Sequence, residues 1–219
     1  SHAGRAPGDV VLAVKDLAAP PAVRRASFDL RRGEVLGVAG LMGSGRTEMV
    51  RAVFGLDPIE AGSVTVGGRP IRRGIPGRLA TGIGYLSEDR KSKGLHVGFG
   101  LCENLTLMAL ERYARPLLSP KAERAALDQA VKDFDIRTGS LDNPASSLSG
   151  GNQQKLALAK VLHPAPKVVV LDEPTRGVDV GAKRDIYFLI QRLANEGRAV
   201  VVISSELVEL IGLCHRVVV

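Results

Sequence analysis

The sequence has no tryptophan, and its aromatic share is only 4%. A core must therefore be built from Val, Leu, Ile and Ala within a 45% hydrophobic, 24% charged composition, which suits a globular chain. There are two cysteines, Cys102 and Cys214, too far apart to match a metal or redox spacing. They read as reduced thiols of a cytosolic protein. Long apolar runs are missing as well. The longest, such as "AVVVIS" at 199–204, fall far short of the roughly 20 residues a membrane span requires. No secretory pattern opens the chain; "SHAGRAPGD" is polar and reads as a flexible tail over residues 1–9, partly an expression remnant. Internal repeats and low-complexity tracts are also lacking. The 219 residues carry a net charge of +7. The basic cluster "RPIRRGIPGR" (69–78) has no interleaved aromatics, so it is not a base-stacking surface and nucleic acid is not an expected partner. A solvated basic surface fits, with an anionic ligand or an acidic membrane face as sharper alternatives.

What is present is an α/β pattern. "VVLAVKDL" opens as a strand, and "SFDLRRGEVLGVAG" reads as two strands joined by a polar turn. Val35–Ala39 runs straight into a glycine loop, followed by the helix "TEMVRAVFG", closed by Gly55. "GSVTVGGRPI" alternates around Gly-Gly and predicts a hairpin. The middle of the chain turns helical: Leu127, Ala130, Val131 and Phe134 fall at i, i+3, i+4, i+7. From Pro166 the pattern is β-α-β. "KVVVLDEP" is a bare apolar strand of the kind buried on both faces of a parallel sheet, Ile186, Leu189, Ile190 and Leu193 line a helix, and "AVVVIS" is the next strand. The expected division is one domain over 10–219, with a core at about 10–94 and 160–219 and a helical insert at about 95–159.

Three stretches carry chemistry. "GLMGSGRTE" (40–48) nearly matches the phosphate-binding pattern G-x-x-x-x-G-K-[ST], with Arg46 in the lysine position. Glycines let backbone N–H groups approach an anion, and the helix N-terminus adds a favourable dipole. Thr47 can ligate Mg²⁺ through its hydroxyl. Taken alone, such a loop is also compatible with a mere tight turn. The second stretch ends an apolar strand in two carboxylates, costly unless a cation or ligand waits there. Asp172 can hold Mg²⁺ and Glu173 can polarise an attacking water, the bland alternative being a helix-capping pair. The third, "LSGGNQQK" (148–155), puts Ser149, Gly150 and Gly151 at a second anion-binding helix entrance. Its bland alternative is a plain N-cap, although Ser149 with Gln153 makes no tidy capping box.

Together these stretches resemble the nucleotide-binding domain of ABC transporters, over about Val10 to Val219. "LSGGN" resembles the ABC signature, in the expected order between the phosphate loop and the "VVVLDEP" strand. "GLMGSGRTE", "GIGYLSEDRKSKGL", "LSGGNQQK" and "DEPTRGVDVGAK" are similar to the C-terminal ATP-binding half of monosaccharide importers of the ribose, xylose, arabinose and galactose type. The resemblance implies a P-loop NTPase core with a β subdomain and an inserted helical subdomain, binding ATP and Mg²⁺. It implies nucleotide contacts at Gly40, Gly43, Ser44, Gly45, Arg46, Thr47, Glu48 and Glu88, metal ligation by Thr47 and Asp172, and Glu173 and Ser205 at catalytic positions. The partners it implies are an N-terminal ATP-binding half of the same polypeptide, a membrane permease and, indirectly, a periplasmic or extracellular sugar-binding protein. The location it implies is peripheral, on the cytoplasmic face of the bacterial inner membrane. On this expectation the chain is a fragment, ending abruptly at "HRVVV".

Four positions depart from the ABC pattern. Arg46 replaces the lysine, Glu88 stands at the usual glutamine, Ser205 falls where the switch histidine contacts the γ-phosphate, and no aromatic precedes Phe28 to stack on adenine, leaving Pro20 or Pro21 as the nearest substitute. A lost stacking ring weakens binding by about 1–3 kcal/mol, and each lost transition-state contact costs about 10²–10³ in rate. The expected site holds nucleotide and hydrolyses it poorly. The well-formed signature is expected to complete the partner half's site, with Asp179 at the interface between the halves. Two alternatives are a non-hydrolysing regulatory half and a soluble, non-transport ABC ATPase acting on ribosomes or DNA. The segment "LHVGFGLCENLTL" (95–107), with more apolar residues than one helix face requires, is expected to dock the permease.

Overall fold

A computed structural model of the chain describes residues 8–40, 45–71, 81–88, 94–114 and 116–219. Gly43, Ser44, most of the 1–9 tail and most of the basic 69–78 cluster lie outside the described residues.

Two sheets are built from strands of different character. β1 (Val10–Ala19) pairs antiparallel with β2 (Val23–Arg31) on one edge and β4 (Ala61–Val66) on the other, and β5 (Arg69–Pro70) completes the expected hairpin, giving the order β2-β1-β4-β5. The second sheet has the order β6-β7-β8-β3-β9, with β6 (Ile83–Leu86), β7 (Val168–Asp172), β8 (Ala199–Ser204), β3 (Val35–Ala39) and β9 (Arg216–Val218). β3 runs parallel to both β8 and β9, and β7 runs parallel to β8. Every residue of β7 and β8 is buried, as expected for apolar strands covered on both faces. The polar turn between β2 and β3 joins them as read, but the chain changes sheets there. β2 interleaves buried and exposed positions, whereas β3 is buried from Val35 to Val38, so only β3 suits the middle of the parallel sheet.

The chain forms two compact units: one runs to Tyr85 and takes in Pro166–Glu173 and Ile190–Val219; the other comprises Leu86–Ala165 and Pro174–Leu189. The core of the first joins Leu12, Leu17 and Leu30 of the antiparallel sheet, Val50 and Phe54 on and just after α1 (Arg46–Val53), and Val170 and Val201 of the parallel sheet. A fully buried side chain of this kind is worth about 1.5–3 kcal/mol, so aliphatics suffice without tryptophan.

The second unit contains α2 (Leu101–Thr106), a 3₁₀ turn over Leu107–Arg112, α3 (Pro120–Asp133), α4 (Gly150–Leu162) and the first part of α5 (Val180–Asn195). It is wider than the 95–159 insert. One reason is that α4 reaches the segment after β7: Gln154 Nε2 donates to the Pro174 carbonyl (2.6 Å), and Lys155 Nζ pairs with Asp185 Oδ2 (2.7 Å). α4 is buried almost all round, which marks it as the unit's central helix. On α3, capped by Ser119 with Pro120 in its first turn, the expected face buries Leu127 and Ala130 and half-buries Val131, while Phe134 sits just past the helix end. The apolar excess of 95–107 is mostly internal. Helix begins only at Leu101, and Leu95, Leu101 and Leu105 are core, leaving Phe99 and Leu107 exposed.

Asn104 holds this segment together from a fully buried position. Its Oδ1 accepts from the His96 N–H (2.9 Å), and its Nδ2 donates to the carbonyls of His96 (2.9 Å) and Gly100 (2.9 Å). Asn104→Ala leaves the His96 N–H without its acceptor, while the His96 and Gly100 carbonyls keep the backbone N–H groups of Phe99 and Asn104, and is expected to destabilise the chain by about 1–3 kcal/mol in urea unfolding. A loss below about 0.5 kcal/mol would show that water replaces the amide there.

Candidate functional site

In the first unit, β3 delivers the chain to Gly40, and Gly45 caps the N-terminus of α1. Gly45 has φ 86°, and a Cβ on it would lie 2.6 Å from the Ala22 carbonyl oxygen, so only glycine fits. In the first turn of α1, Arg46 is buried, Thr47 half-buried and Glu48 exposed. The arginine turns back on its own loop: Nη1 donates to the Gly40 carbonyl (2.6 Å) and Nη2 to Glu173 Oε1 (2.8 Å). The same Oε1 accepts the Ser205 N–H (2.8 Å). Ser205 is exposed and meets the carboxylate through its backbone. Glu173 has φ 49°, a left-handed conformation costing about 1–3 kcal/mol for a residue other than glycine.

Asp172, one residue earlier at the end of β7, is 1% exposed. Its Oδ2 accepts from the Tyr85 hydroxyl (3.1 Å), and its Oδ1 has no hydrogen-bond partner among the described residues. Burial pushes its carboxyl up to about 6, reinforced by the Glu173 charge and opposed by the Tyr85 hydrogen bond and Arg46. Beside these groups, the 21–28 segment, the end of β3, Gly45, Arg46 and Met49 line a groove of about 790 Å³. Both Pro21 and Phe28 line it.

The second unit carries the "LSGGN" residues. Ser149 is the N-cap of α4, its Oγ accepting from the N–H (3.4 Å) and Nδ2 (2.9 Å) of Asn152, while Gln153 bonds the carbonyls of Ala145 and Leu148 and closes no capping box. Gly150 opens the helix. Gly151 lies within it. Its small size is needed for packing: a Cβ would lie 2.8 Å from the Ala182 Cβ and 3.1 Å from Asp179 Oδ2. Asp179 is exposed and accepts the Ala182 N–H (2.9 Å) at the start of α5, a bond that holds its carboxyl below the usual carboxylate range. Ser149, Gly151, Lys155 and Asp179 share a cleft of about 460 Å³. Glu88 is ion-paired with Arg176.

The ABC transporter family profile matches residues 23–176. The chain belongs to the ABC transporter family. It is 49% identical over 96% of its length to a Burkholderia ambifaria import ATP-binding protein named for ribose, galactose and methyl galactoside, of which it covers 42%. It is 46% identical over 98% of its length to the ribose import ATP-binding protein RbsA of Chromobacterium violaceum, covering 43% of that protein. The chain thus spans less than half the length of these relatives. Among solved structures, the dimeric MJ0796 ABC transporter cassette superposes with a TM-score of 0.81 at 21% identity, covering 94% of this chain and 93% of that one. The cbiO1 subunit from Clostridium perfringens superposes with a TM-score of 0.78 at 24% identity, covering 95% and 84%. These likenesses establish the P-loop fold of an ABC cassette.

Mg²⁺ fits the donor set of this ABC chain. Asp172 presents a buried carboxylate oxygen that has no partner among the described residues, and Thr47 stands in the first turn of α1. An ion of this kind takes one or two carboxylates and completes its shell with water and phosphate. Sequence reasoning missed the Tyr85–Asp172 bond, Phe28 and Met49 as groove-lining residues, and Lys155. Of these, Tyr85 and Lys155 lay inside stretches singled out for the family resemblance, and Phe28 and Met49 inside segments read only as strand and helix.

The raised carboxyl of Asp172 makes stability pH-dependent. The folded state holds its proton more tightly than the unfolded chain, so this group's stabilisation is present below about pH 4 and is lost as pH rises from about 4 to 6. Asp172→Asn is expected to stabilise the nucleotide-free chain by about 2 kcal/mol at pH 7.5 and by much less at pH 4. Urea unfolding at the two pH values measures this; equal effects at both would place the charge elsewhere.

Proposed function

We propose that this chain is one ATP-binding half of a monosaccharide importer, acting at the cytoplasmic face of a bacterial inner membrane against a permease. The near-50% identity to sugar-import ATP-binding proteins along almost the whole chain carries this reading. The buried Asp172 and the glycine-framed loop support a phosphate and Mg²⁺ site: Gly40, Gly45 and the α1 N-terminus bind phosphate, and Thr47 and Asp172 hold the ion. Mg²⁺, when bound, neutralises developing charge on the phosphate oxygens. Glu173 is the residue positioned to orient water. In the intact protein, the Ser149–Gly151 helix entrance of this half faces the nucleotide of an N-terminal half, and Asp179 lies at that interface. A sugar-binding protein outside the membrane delivers the substrate. Phe99 and Leu107, exposed in the second unit, are the apolar residues of the 95–107 segment left to meet the permease.

A second reading is a half that binds nucleotide without hydrolysing it. One observation favours it: Glu173 Oε1 is already taken by Arg46 and the Ser205 N–H. Turnover of the full-length protein carrying Glu173→Gln separates the two. A fall of about tenfold or more supports hydrolysis here, and unchanged turnover supports the non-hydrolysing half.

The 219-residue chain alone is expected to be a monomer with weak Mg-ATP binding and barely detectable ATPase, since its signature has no partner. Turnover at about 1 s⁻¹ or faster would overturn that. In the full-length protein, Gly151→Asp is expected to abolish sugar uptake, while Arg46→Ala lowers it only about two- to fivefold. A side chain introduced at Gly151 also meets Ala182, so melting of both variants accompanies the uptake assay at matched expression. Equal losses in two stably folded variants would mean that this half turns over in the cycle.

A further inference from the structure

Arg46 is the least expected side chain of the loop, and its contacts point to a use beyond substituting for lysine. It is 7% exposed, and two separate nitrogens are engaged: Nη1 on the Gly40 carbonyl at the start of the loop and Nη2 on Glu173 Oε1 across the site. A guanidinium offers separate donors in a rigid fork, whereas lysine presents one nitrogen and cannot make this pair of contacts in the same geometry. Glu173 is 6% exposed, so its charge requires a partner in the nucleotide-free chain. Asp172 next to it takes its hydrogen bond from Tyr85, and among the described carboxylates it is Glu173 that Arg46 ion-pairs.

We propose that Arg46 and Glu173 form a latch between the phosphate loop and the end of β7, closed without nucleotide and opened when the guanidinium is drawn to phosphate oxygens. This rests on the reading of residues 40–48 as a phosphate loop. While closed, the latch joins the Ser205 N–H in holding Glu173 Oε1, so that oxygen is not free to accept a proton from water. Opening it breaks a buried ion pair, and phosphate binding is weakened by that amount. The arginine therefore sets both the affinity of the site and the availability of its carboxylate. A site with this device binds nucleotide more weakly than its backbone cradle alone would allow.

The test is a double-variant cycle on ADP affinity, measured by calorimetry on the purified chain in EDTA, where neither hydrolysis nor metal ligation enters. With Arg46 present, Glu173→Gln removes the competitor and is expected to tighten ADP binding about five- to tenfold. With Arg46→Ala, the same change is expected to alter affinity by less than about twofold, the remainder being direct charge repulsion. If Arg46→Ala does not fold, Arg46→Lys takes its place, with the effect of Glu173→Gln reduced to about threefold or less. Equal gains from Glu173→Gln in both backgrounds would overturn the latch and leave the phosphate site standing. No ADP binding by any of the folded chains would overturn the phosphate-loop reading and the latch with it.

Discussion

Two adjacent carboxylates end a strand whose every residue is buried, and the surrounding site is arranged around the cost of holding them there. A lone ionised carboxylate in such surroundings is expensive enough to change its protonation or seek a partner. Asp172 and Glu173 meet this cost in different ways. Asp172 accepts one hydrogen bond from Tyr85, keeps one oxygen without a partner among the described residues and is driven up to about 6. Glu173 takes a left-handed backbone turn and receives a guanidinium and a backbone N–H on one oxygen. The first arrangement leaves room for a cation; the second restrains a base.

The departures from the ABC pattern are joined by these contacts. Read singly, an arginine for a lysine and a serine for a histidine are two lost functions. In the structure both residues meet at Glu173 Oε1, one through its side chain and the other through its backbone. Ser205 needs no imidazole to hold the carboxylate, because the N–H that follows β8 is available whatever side chain it carries. Glu88, at the third departure, carries a charge that pairs with Arg176 within the second unit. At the fourth, where the ring is missing, Pro21 and Phe28 line one groove with Met49.

In the second unit the N-cap reading of the signature is met by the helix start itself. Ser149 caps α4, Asp179 holds the start of α5, and Gly151 is small because Ala182 and Asp179 stand against it. A capped helix start with a glycine behind it is also what an anion from another subunit would require. Lys155 adds stiffness beneath this surface by pairing with Asp185 and bonding the Asp135 carbonyl (2.9 Å).

Much of this was legible in the sequence. The bare apolar runs at 35–39, 168–172 and 199–204 determined a buried parallel sheet, because only strands covered on both faces can be apolar at every position. Glycine spacing and the two terminal carboxylates pointed to the candidate site, since local backbone demands and buried charge are written in residue type alone. Other features were decided by tertiary structure. The change of sheet between β2 and β3, the membership of 174–189 in the second unit and the internal use of the 95–107 leucines depend on which surfaces meet. So does the partner of Arg46. Its sequence position predicts a cation at a phosphate loop, but the acceptor it reaches lies 127 residues away and is set by how β7 and α1 pack. Charge and conformation follow local rules; the pairing of distant charges follows the fold.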